Sequence, residues 1–299
     1  MFFDPPVSYI EPLFRPPSEA DSLILQVTNG CSWNQCSFCE MYTDPQKKFK
    51  PKAESEVLAE IERCGQYLPH IRRVFLADGD AMVLSVRRLQ TILTAIRTHM
   101  PKVSRVSAYC LPQNLRSKSV EELQQLRELG LTLLYVGAES GDDTVLRKVN
   151  KSETFASTRD ALLKLKAAGI KSSVMIINGL GGKHYSEQHA LASAELINAT
   201  QPEYLATLVL FFGRGPQRFR QAFGEDYVEC SAVDLFREMH TFISHLQLEQ
   251  TIFRSDHVSN HLLLKGVLNK DKVLLLQQIE RELTNADALV WRGSRGEHY

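Results

Sequence analysis

The stretch that decides the fold reads Leu23-Ile-Leu-Gln-Val-Thr-Asn-Gly-Cys31-Ser-Trp-Asn-Gln-Cys36-Ser-Phe-Cys39. It joins a short apolar run to a loop that carries three thiols within nine residues. A short apolar run that ends at a turn signal is typical of a buried strand. We therefore expect a strand over Leu23–Val27 and a cysteine loop directly after it. Three of the chain's six cysteines fall in this loop, which argues against coincidence.

The spacing of the three cysteines, four residues and then two, points to a metal centre. A 4Fe–4S cluster is normally held by four thiolates, so three cysteines would leave one iron open to a substrate or cofactor. Zinc is the alternative, because structural zinc sites also use closely spaced cysteines with histidine. The next histidine, however, is His70, far beyond the loop. The pattern favours iron–sulfur over zinc and names Cys31, Cys36 and Cys39 as ligands.

Outside this loop, apolar runs alternate with helical patterns. The predicted strands are Leu23–Val27, Arg73–Ala77, Arg105–Tyr109, Leu131–Gly137, Lys171–Ile177 and Tyr204–Phe211. Helical spacing of apolar residues follows each of them, and Ser119-Val-Glu-Glu122 is a capping box. Six strand–helix units predict an α/β fold with a parallel sheet, either doubly wound or a partial TIM-like barrel. Both architectures bind ligands at the carboxyl ends of the strands, where the cysteine loop falls.

Further motifs stand at later strand ends. The second strand ends in Ala77-Asp-Gly-Asp-Ala81, the fourth in Gly137-Ala-Glu-Ser-Gly141 and the fifth in Asn178-Gly-Leu-Gly-Gly182. Each alone has an ordinary explanation as a polar turn, a helix cap or a flexible loop. Together with the cysteine loop, and in this order, they resemble the radical S-adenosylmethionine (SAM) superfamily over roughly residues 23–215.

That resemblance implies a partial (β/α)6 barrel, a 4Fe–4S cluster on the three cysteines, and SAM bound to the open iron. Reductive cleavage of SAM would then give a 5′-deoxyadenosyl radical that abstracts hydrogen from a substrate. An external electron donor of the flavodoxin or ferredoxin type is implied as a partner. The region from Gly137 to Gly182 is most similar to the branch with oxygen-independent coproporphyrinogen oxidases, Elongator-type enzymes and tRNA methylthiotransferases.

The resemblance also assigns contacts with SAM to several residues. Asp78-Gly79-Asp80 stands where the family has a Gly-Gly-Glu motif that accepts bonds from the SAM amino group. Glu139-Ser140 is similar to a pair that meets the ribose and polar groups. Lys151 stands where related members carry a basic residue for the methionine carboxylate, and Gly179-Leu180 resembles a backbone motif beside adenine.

The chain departs from the family pattern at three points. The commonest cysteine spacing is three residues then two, Asp80 is one methylene shorter than glutamate, and Phe212-Gly-Arg-Gly-Pro216 replaces a Pro-Gly-Thr-Pro motif. The first departure bears on cluster geometry. The last predicts a different substrate pocket.

A polar segment, Arg254-Ser-Asp-His-Val-Ser-Asn-His261, follows the repeating units. One interpretation is a solvated loop, since Asp, Ser and Asn favour turns. The other is a lid in which Arg254 and His257 act as catalytic residues that bind an anionic substrate. We therefore predict an extended proline-rich arm over residues 1–20, a catalytic domain over residues 21–250, and a C-terminal extension over residues 251–299 that closes the barrel.

Charge and hydropathy narrow the function further. Thirty-five basic residues balance thirty-five acidic ones, which argues against nucleic acid as a partner. The sequence has neither an apolar membrane span nor a secretory leader, so we expect a cytoplasmic protein without a membrane partner. A small-molecule or peptide substrate is favoured over tRNA. Two alternatives stay open: a non-catalytic protein with a structural zinc or iron–sulfur site, and a tRNA-modifying radical SAM enzyme.

Overall fold

The computed structural model describes residues 6–293, with side-chain surroundings up to residue 285. The chain forms two compact units. The first unit comprises Met1–Gly137 and Asp160–Ser173, and the second comprises Ala138–Arg159 and Val174–Tyr299. Residues 1–5 of the predicted arm and residues 294–299 of the predicted extension lie outside the described residues.

The strands and helices follow one another in the predicted alternation. The strands are β1 Leu23–Gln26, β2 Thr28–Asn29, β3 Lys50–Pro51, β4 Arg73–Ala77, β5 Arg105–Cys110, β6 Leu131–Glu139, β7 Lys171–Asn178, β8 Tyr204–Val209, β9 Thr251–Ser255 and β10 Leu264–Leu268. The helices are α1 Glu54–Tyr67, α2 Val86–His99, α3 Val120–Glu128, α4 Asp143–Lys148, α5 Phe155–Ala167, α6 Gly182–Thr200, α7 Gln217–Phe223, α8 Ala232–His245 and α9 Lys272–Gly293.

Parallel pairing organises the sheet of the first unit. β1 pairs with β4, β4 with β5, and β5 with β6, all in parallel. The β4 residues from Val74 to Ala77 are fully buried, as expected where helices cover both faces of a parallel sheet. The predicted capping box is present at the start of α3, where the Ser119 hydroxyl accepts from the Glu122 amide and the Glu122 carboxylate accepts from the Ser119 amide.

The described part of the N-terminal arm lies against the first unit. Leu13 packs on a cluster of Ile24, Phe75 and Ala77. The Tyr9 hydroxyl donates to the carbonyl oxygen of Ile24 at 2.8 Å. Further along, the fully buried carboxylate of Glu19 accepts from Arg105 at 2.9 Å and from the Tyr135 hydroxyl at 2.6 Å. Hydrogen bonds and apolar contacts therefore fix residues that sequence alone describes only as extended.

The second unit contains strands β8 to β10. β8 and β9 are parallel, and β10 returns antiparallel to β9 with Leu264 opposite Ser255. Helix α8 buries Leu235, Met239 and Phe242 on one face, as its helical spacing predicts. The interpretation of residues 254–261 as a solvated loop was wrong for the first two residues, because Arg254 and Ser255 belong to β9.

The six predicted strands are present as β1 and β4 to β8, with ends shifted by at most two residues. Most strand pairs are parallel, so the predicted α/β class is confirmed. Strands β9 and β10 were not predicted. Within residues 6–293, none of the helices has the length and apolar character needed to cross a bilayer.

Candidate functional site

In the first unit, the two ends of the cysteine loop are held together by contacts between residues 28–30 and residues 47–51, and we call this region the closed base of the loop. β2 and β3 pair antiparallel on either side of the loop, with Thr28 opposite Pro51 and Asn29 opposite Lys50. Gly30 has a φ of +66° and sits so close to the carbonyl of Lys47 that any side chain would collide with it. This position needs glycine both for its left-handed backbone and for the close approach.

The three predicted ligands lie on this loop with partly exposed side chains. The Cys39 amide donates to the Cys36 carbonyl at 3.2 Å, which tightens the second half of the motif. None of the described cysteines forms a disulfide. Among the side chains that the structure describes, those of residues 6–285, however, no three cysteine, histidine or carboxylate groups are arranged so that they could hold a metal ion. The donor chemistry still fits an iron–sulfur cluster, since three accessible thiols on one loop supply the soft ligands that such clusters require.

Asp80 ties the cysteine loop to the next strand end. Its carboxylate is fully buried and accepts hydrogen bonds from the Ser32 hydroxyl and from the Asn114 side-chain amide. Ser32 follows Cys31 directly, whereas Asn114 lies in a turn after β5. Burial raises the pKa of Asp80, because a low-dielectric site penalises the charged carboxylate. Asn114 was not identified from the sequence, where its only signal is its place after a strand.

Asp78 has a different set of neighbours. Its carboxylate forms an ion pair with Lys47, and both side chains are fully buried. The Lys47 ammonium also donates to the carbonyl of Ile10 at 2.9 Å. Gly79 approaches the ring of Tyr42 too closely to allow a side chain. The Asp78 side chain therefore fastens the segment after the cysteine loop to the end of β4. Lys47 was not predicted, because an isolated lysine in sequence reads as a surface residue.

The second unit contains the predicted pair Glu139 and Lys151. Glu139 ends β6 with a φ of +66°, a left-handed conformation that is uncommon for a residue with a side chain and recurs at functional sites. The Lys151 ammonium lies 3.6 Å from the Glu139 carboxylate, and both side chains are largely buried. Burial raises the pKa of Glu139, and the positive charge of Lys151 opposes that rise.

The remaining predicted SAM-contact residues of this unit are buried. The Ser140 hydroxyl lies 2.7 Å from Nδ1 of His189, so its side chain points toward helix α6. The Gly179 amide donates to the Glu238 carboxylate at 2.6 Å, and Leu180 is fully buried beside it. His189 and Glu238 were not identified from the sequence, since each lies many residues from the motif it contacts.

The two predicted substrate residues have separate surroundings. Arg254 is exposed on β9, between Ala206 of β8 and Lys265 of β10. His257 is half-buried in the turn that follows, with Nδ1 2.8 Å from the Ser259 hydroxyl. Its ring stacks on the exposed ring of Phe211 at 5.5 Å between centroids.

The sequence from β1 to α6 matches the family model described as the radical SAM superfamily, over residues 25–197. The chain belongs to the radical SAM superfamily. This match covers more than half of the chain and includes the cysteine loop and all four groups of predicted SAM contacts. Members of this superfamily use a 4Fe–4S cluster and SAM, and the 5′-deoxyadenosyl radical mechanism is general to them.

Two curated relatives share part of this radical SAM region. The heme chaperone HemW of Bacillus subtilis (strain 168) is 22% identical over 171 residues, which is 55% of this chain and 45% of the relative. The heme chaperone HemW of Lactococcus lactis subsp. lactis (strain IL1403) is 23% identical over 114 residues, or 38% of this chain and 30% of the relative. The matches therefore span less than half the length of either relative.

Solved structures show the same fold at low identity. Coproporphyrinogen III oxidase (HemN) from Escherichia coli is similar with a TM-score of 0.56 at 17% identity, covering 75% of this chain and 52% of HemN. Methylornithine synthase (PylB) gives a TM-score of 0.52 at 15% identity, and the match covers 89% of this chain and 81% of PylB. The methyltransferase TsrM from Kitasatospora setae gives a TM-score of 0.51 at 19% identity, and the match covers 63% of this chain and 36% of TsrM. These likenesses support the predicted barrel-type α/β fold.

Proposed function

We propose that this chain is a radical SAM enzyme that acts on a small-molecule or peptide substrate. The observation that carries the proposal is the cysteine loop, with three accessible thiols on a segment anchored to buried Asp80 through Ser32. When bound, the cluster supplies an electron that splits SAM into methionine and a 5′-deoxyadenosyl radical. The protein's own residues hold the reactants and exclude competing reactions.

Cys31, Cys36 and Cys39 are the proposed cluster ligands. The loop that carries them begins at a base where Gly30 meets Lys47 and where β2 pairs with β3. A closed base limits the positions that the three sulfurs can sample, which lowers the entropy cost of bringing them together on one cluster. An external flavodoxin- or ferredoxin-type protein is the proposed electron donor.

Asp78, Gly79 and Asp80 are proposed to receive the amino group of SAM. Lys47 already neutralises the Asp78 side chain, so Asp78 and Gly79 would contribute through their backbone. Asp80 retains acceptor capacity, because a carboxylate has about four lone-pair sites and Ser32, Asn114 and the Leu111 backbone amide occupy three of them. Bonds from Ser32 and Asn114 fix the orientation of that carboxylate.

In the second unit, Glu139 and Lys151 are the proposed polar contacts for SAM. Lys151 supplies a positive charge that suits the methionine carboxylate, and Glu139 supplies an acceptor that suits the ribose hydroxyls. Ser140, Gly179 and Leu180 are proposed to shape the nucleoside contacts, mainly through backbone groups, since the Ser140 hydroxyl faces His189. Arg254 and His257 are the proposed residues for an anionic substrate, in line with the positive charge of Arg254 and the hydrogen-bonding capacity of both side chains.

Anaerobic reconstitution with iron and sulfide tests this function. We expect about four irons per chain and dithionite-dependent formation of 5′-deoxyadenosine from SAM. A variant with Cys36 and Cys39 replaced by alanine tests the ligand assignment. Cys64 and Cys110, which are buried outside the loop, stay unchanged in this variant. A protein that binds zinc but neither iron–sulfur nor SAM would overturn the proposal.

A second candidate function is heme handling, because both curated relatives are named heme chaperones. Titration of the purified protein with heme would separate the two. A saturable heme absorbance change, in a reconstituted protein that forms no 5′-deoxyadenosine, would favour a chaperone. Cleavage of SAM without heme binding would favour the enzyme.

A further inference from the structure

Helix α6 presents a row of polar side chains to the interior of the second unit. Ser186, His189 and Ser193 are spaced by three and four residues, so they lie on one face of the helix. His189 and Ser193 are fully buried, at 1% and 0% exposure. Buried polar groups on a helix require partners, because each unpaired group costs free energy.

One end of this row is bonded to the end of strand β6. Ser193 accepts from the Gly141 amide at 2.9 Å, and His189 meets the Ser140 hydroxyl at 2.7 Å. Gly141 also approaches the backbone of Ala192 too closely to carry a side chain. The helix therefore determines the backbone path immediately after Glu139.

The other end of the row is bonded to the loop after strand β7 through Glu238 of α8. The Glu238 carboxylate accepts from the Gly179 amide and from the Ser186 hydroxyl, both at 2.6 Å. His189 Nε2 lies 3.8 Å from the same carboxylate. Gly179 has a φ of +79°, and a side chain there would press on Leu235. Glu238 thus holds a backbone conformation that only glycine adopts readily.

Through these contacts helix α6 connects the two strand ends: His189 bonds to Ser140, and Ser186 bonds to Glu238, which in turn accepts from Gly179. His189 Nε2 faces the same Glu238 carboxylate at 3.8 Å, beyond hydrogen-bond distance. If the Ser140 hydroxyl donates to Nδ1 of His189, the imidazole directs its remaining N–H toward the Glu238 carboxylate. This connection joins the ends of β6 and β7, the two segments of this unit for which SAM contacts are proposed. Ser140 and Glu238 are both buried.

We infer that His189 and Glu238 are positioning residues for SAM binding. They hold the Glu139–Ser140 and Gly179–Leu180 backbones in the conformation that receives the nucleoside part of SAM. This inference rests on the proposed function, because it assumes that these segments contact SAM. Neither side chain is proposed to touch SAM itself.

The test compares alanine and conservative variants of the reconstituted protein. Glu238→Ala removes the acceptor for Gly179, while Glu238→Gln keeps one amide oxygen in its place. His189→Ala and His189→Asn form the second pair, since an asparagine side chain can still bond with Ser140. Thr200→Val is the matched control: it removes a buried hydroxyl from the same helix, one that bonds only within the helix.

The readouts are iron content, the dissociation constant for SAM, and the rate of cleavage at saturating SAM. Loss of a hydrogen bond to a charged acceptor costs about 1.5–3 kcal/mol, so we expect Glu238→Ala to weaken SAM binding roughly 10-fold to 100-fold. Iron content should match the wild type. Both conservative variants should recover most of the affinity, and Thr200→Val should bind like the wild type.

Wild-type SAM affinity in Glu238→Ala and His189→Ala would overturn the inference while leaving the proposed function intact. Equal weakening by the conservative variants and by Thr200→Val would also overturn it, since the effect would then follow general stability. Absence of SAM binding in the wild type would instead overturn the proposed function. Should Glu238→Ala fail to fold, the comparison of His189→Ala with His189→Asn decides in the same way.

Discussion

Asp80 and Glu139 are buried carboxylates at strand ends, and they are stabilised by different partners. Asp80, in the first unit, accepts from three neutral donors: the Ser32 hydroxyl, the Asn114 side-chain amide and the Leu111 backbone amide. Glu139, in the second unit, faces the ammonium of Lys151 at 3.6 Å. Burial raises the pKa of both. The ionised Glu139 carboxylate is therefore stabilised by one opposite charge at close range, whereas stabilisation of the Asp80 carboxylate is divided among several hydrogen bonds and the positive charge of Lys118.

Replacing Lys151 by methionine should have the largest effect on stability. Removal of one partner of a buried ion pair leaves an uncompensated charge, which costs about 3 kcal/mol or more. Urea-induced unfolding of the wild type and Lys151→Met measures this loss. The double variant Lys151→Met/Glu139→Gln should recover much of it, because the remaining side chain is neutral. An unchanged unfolding midpoint in the single variant would contradict the dependence on Lys151.

Asp80→Ala should cost less, about 1–3 kcal/mol, because the partners that it leaves without an acceptor are neutral donors rather than an opposite charge in an ion pair. Asp80→Asn should cost less still, since one amide oxygen continues to accept. The same urea titration gives both values. A loss in Asp80→Ala that exceeds the loss in Lys151→Met would reverse the proposed order of the two sites.

Ser32→Ala removes one of the donors to Asp80 and should cost about 1 kcal/mol. It should also loosen the start of the cysteine loop, so we expect faster loss of iron from reconstituted protein during gel filtration. Equal iron retention in Ser32→Ala and in the wild type would show that the bond to Asp80 does not steady the loop.

The pH dependence should give the smallest difference between the sites. A carboxyl group whose pKa is raised on folding contributes stability below its unfolded pKa, and this contribution is lost as pH rises through the folded pKa. Glu139→Gln and Asp80→Asn should each flatten this decline relative to the wild type. Unfolding midpoints measured from pH 4 to pH 8 (a range set around the ordinary carboxyl pKa of about 4) give the comparison. A steeper decline in either variant would mean that burial does not raise that pKa.

Local patterns in the sequence predicted the features that depend on neighbours in the chain. The buried runs of β1 and β4 to β8, the capping box at Ser119 and the cysteine loop all fall within a few consecutive residues. Partnerships across long separations left no such signal. Lys47 meets Asp78 across 31 residues, Asn114 meets Asp80 across 34, and His189 meets Ser140 across 49.

The hairpin of β9 and β10 was missed for a related reason. Thr251–Ser255 alternates buried and exposed residues, and its Arg254 and Ser255 read as turn-like in a polar neighbourhood. Its strand character comes from pairing with β8 and β10, which only the folded chain supplies. The roles of the SAM-contact residues and of Arg254 and His257 stay predictions.

The base of the cysteine loop has a consequence for how this family can vary. Gly30 against Lys47, with β2 paired to β3, closes the loop before and after the cysteines. The cysteine loop can therefore gain or lose a residue without shifting the register in which β1 pairs with β4. One additional residue in a loop of this size changes the closure entropy by well under about 1 kcal/mol. An extra residue between Cys31 and Cys36 is thus a change that evolution can make in the metal-binding segment while the barrel strands keep their places.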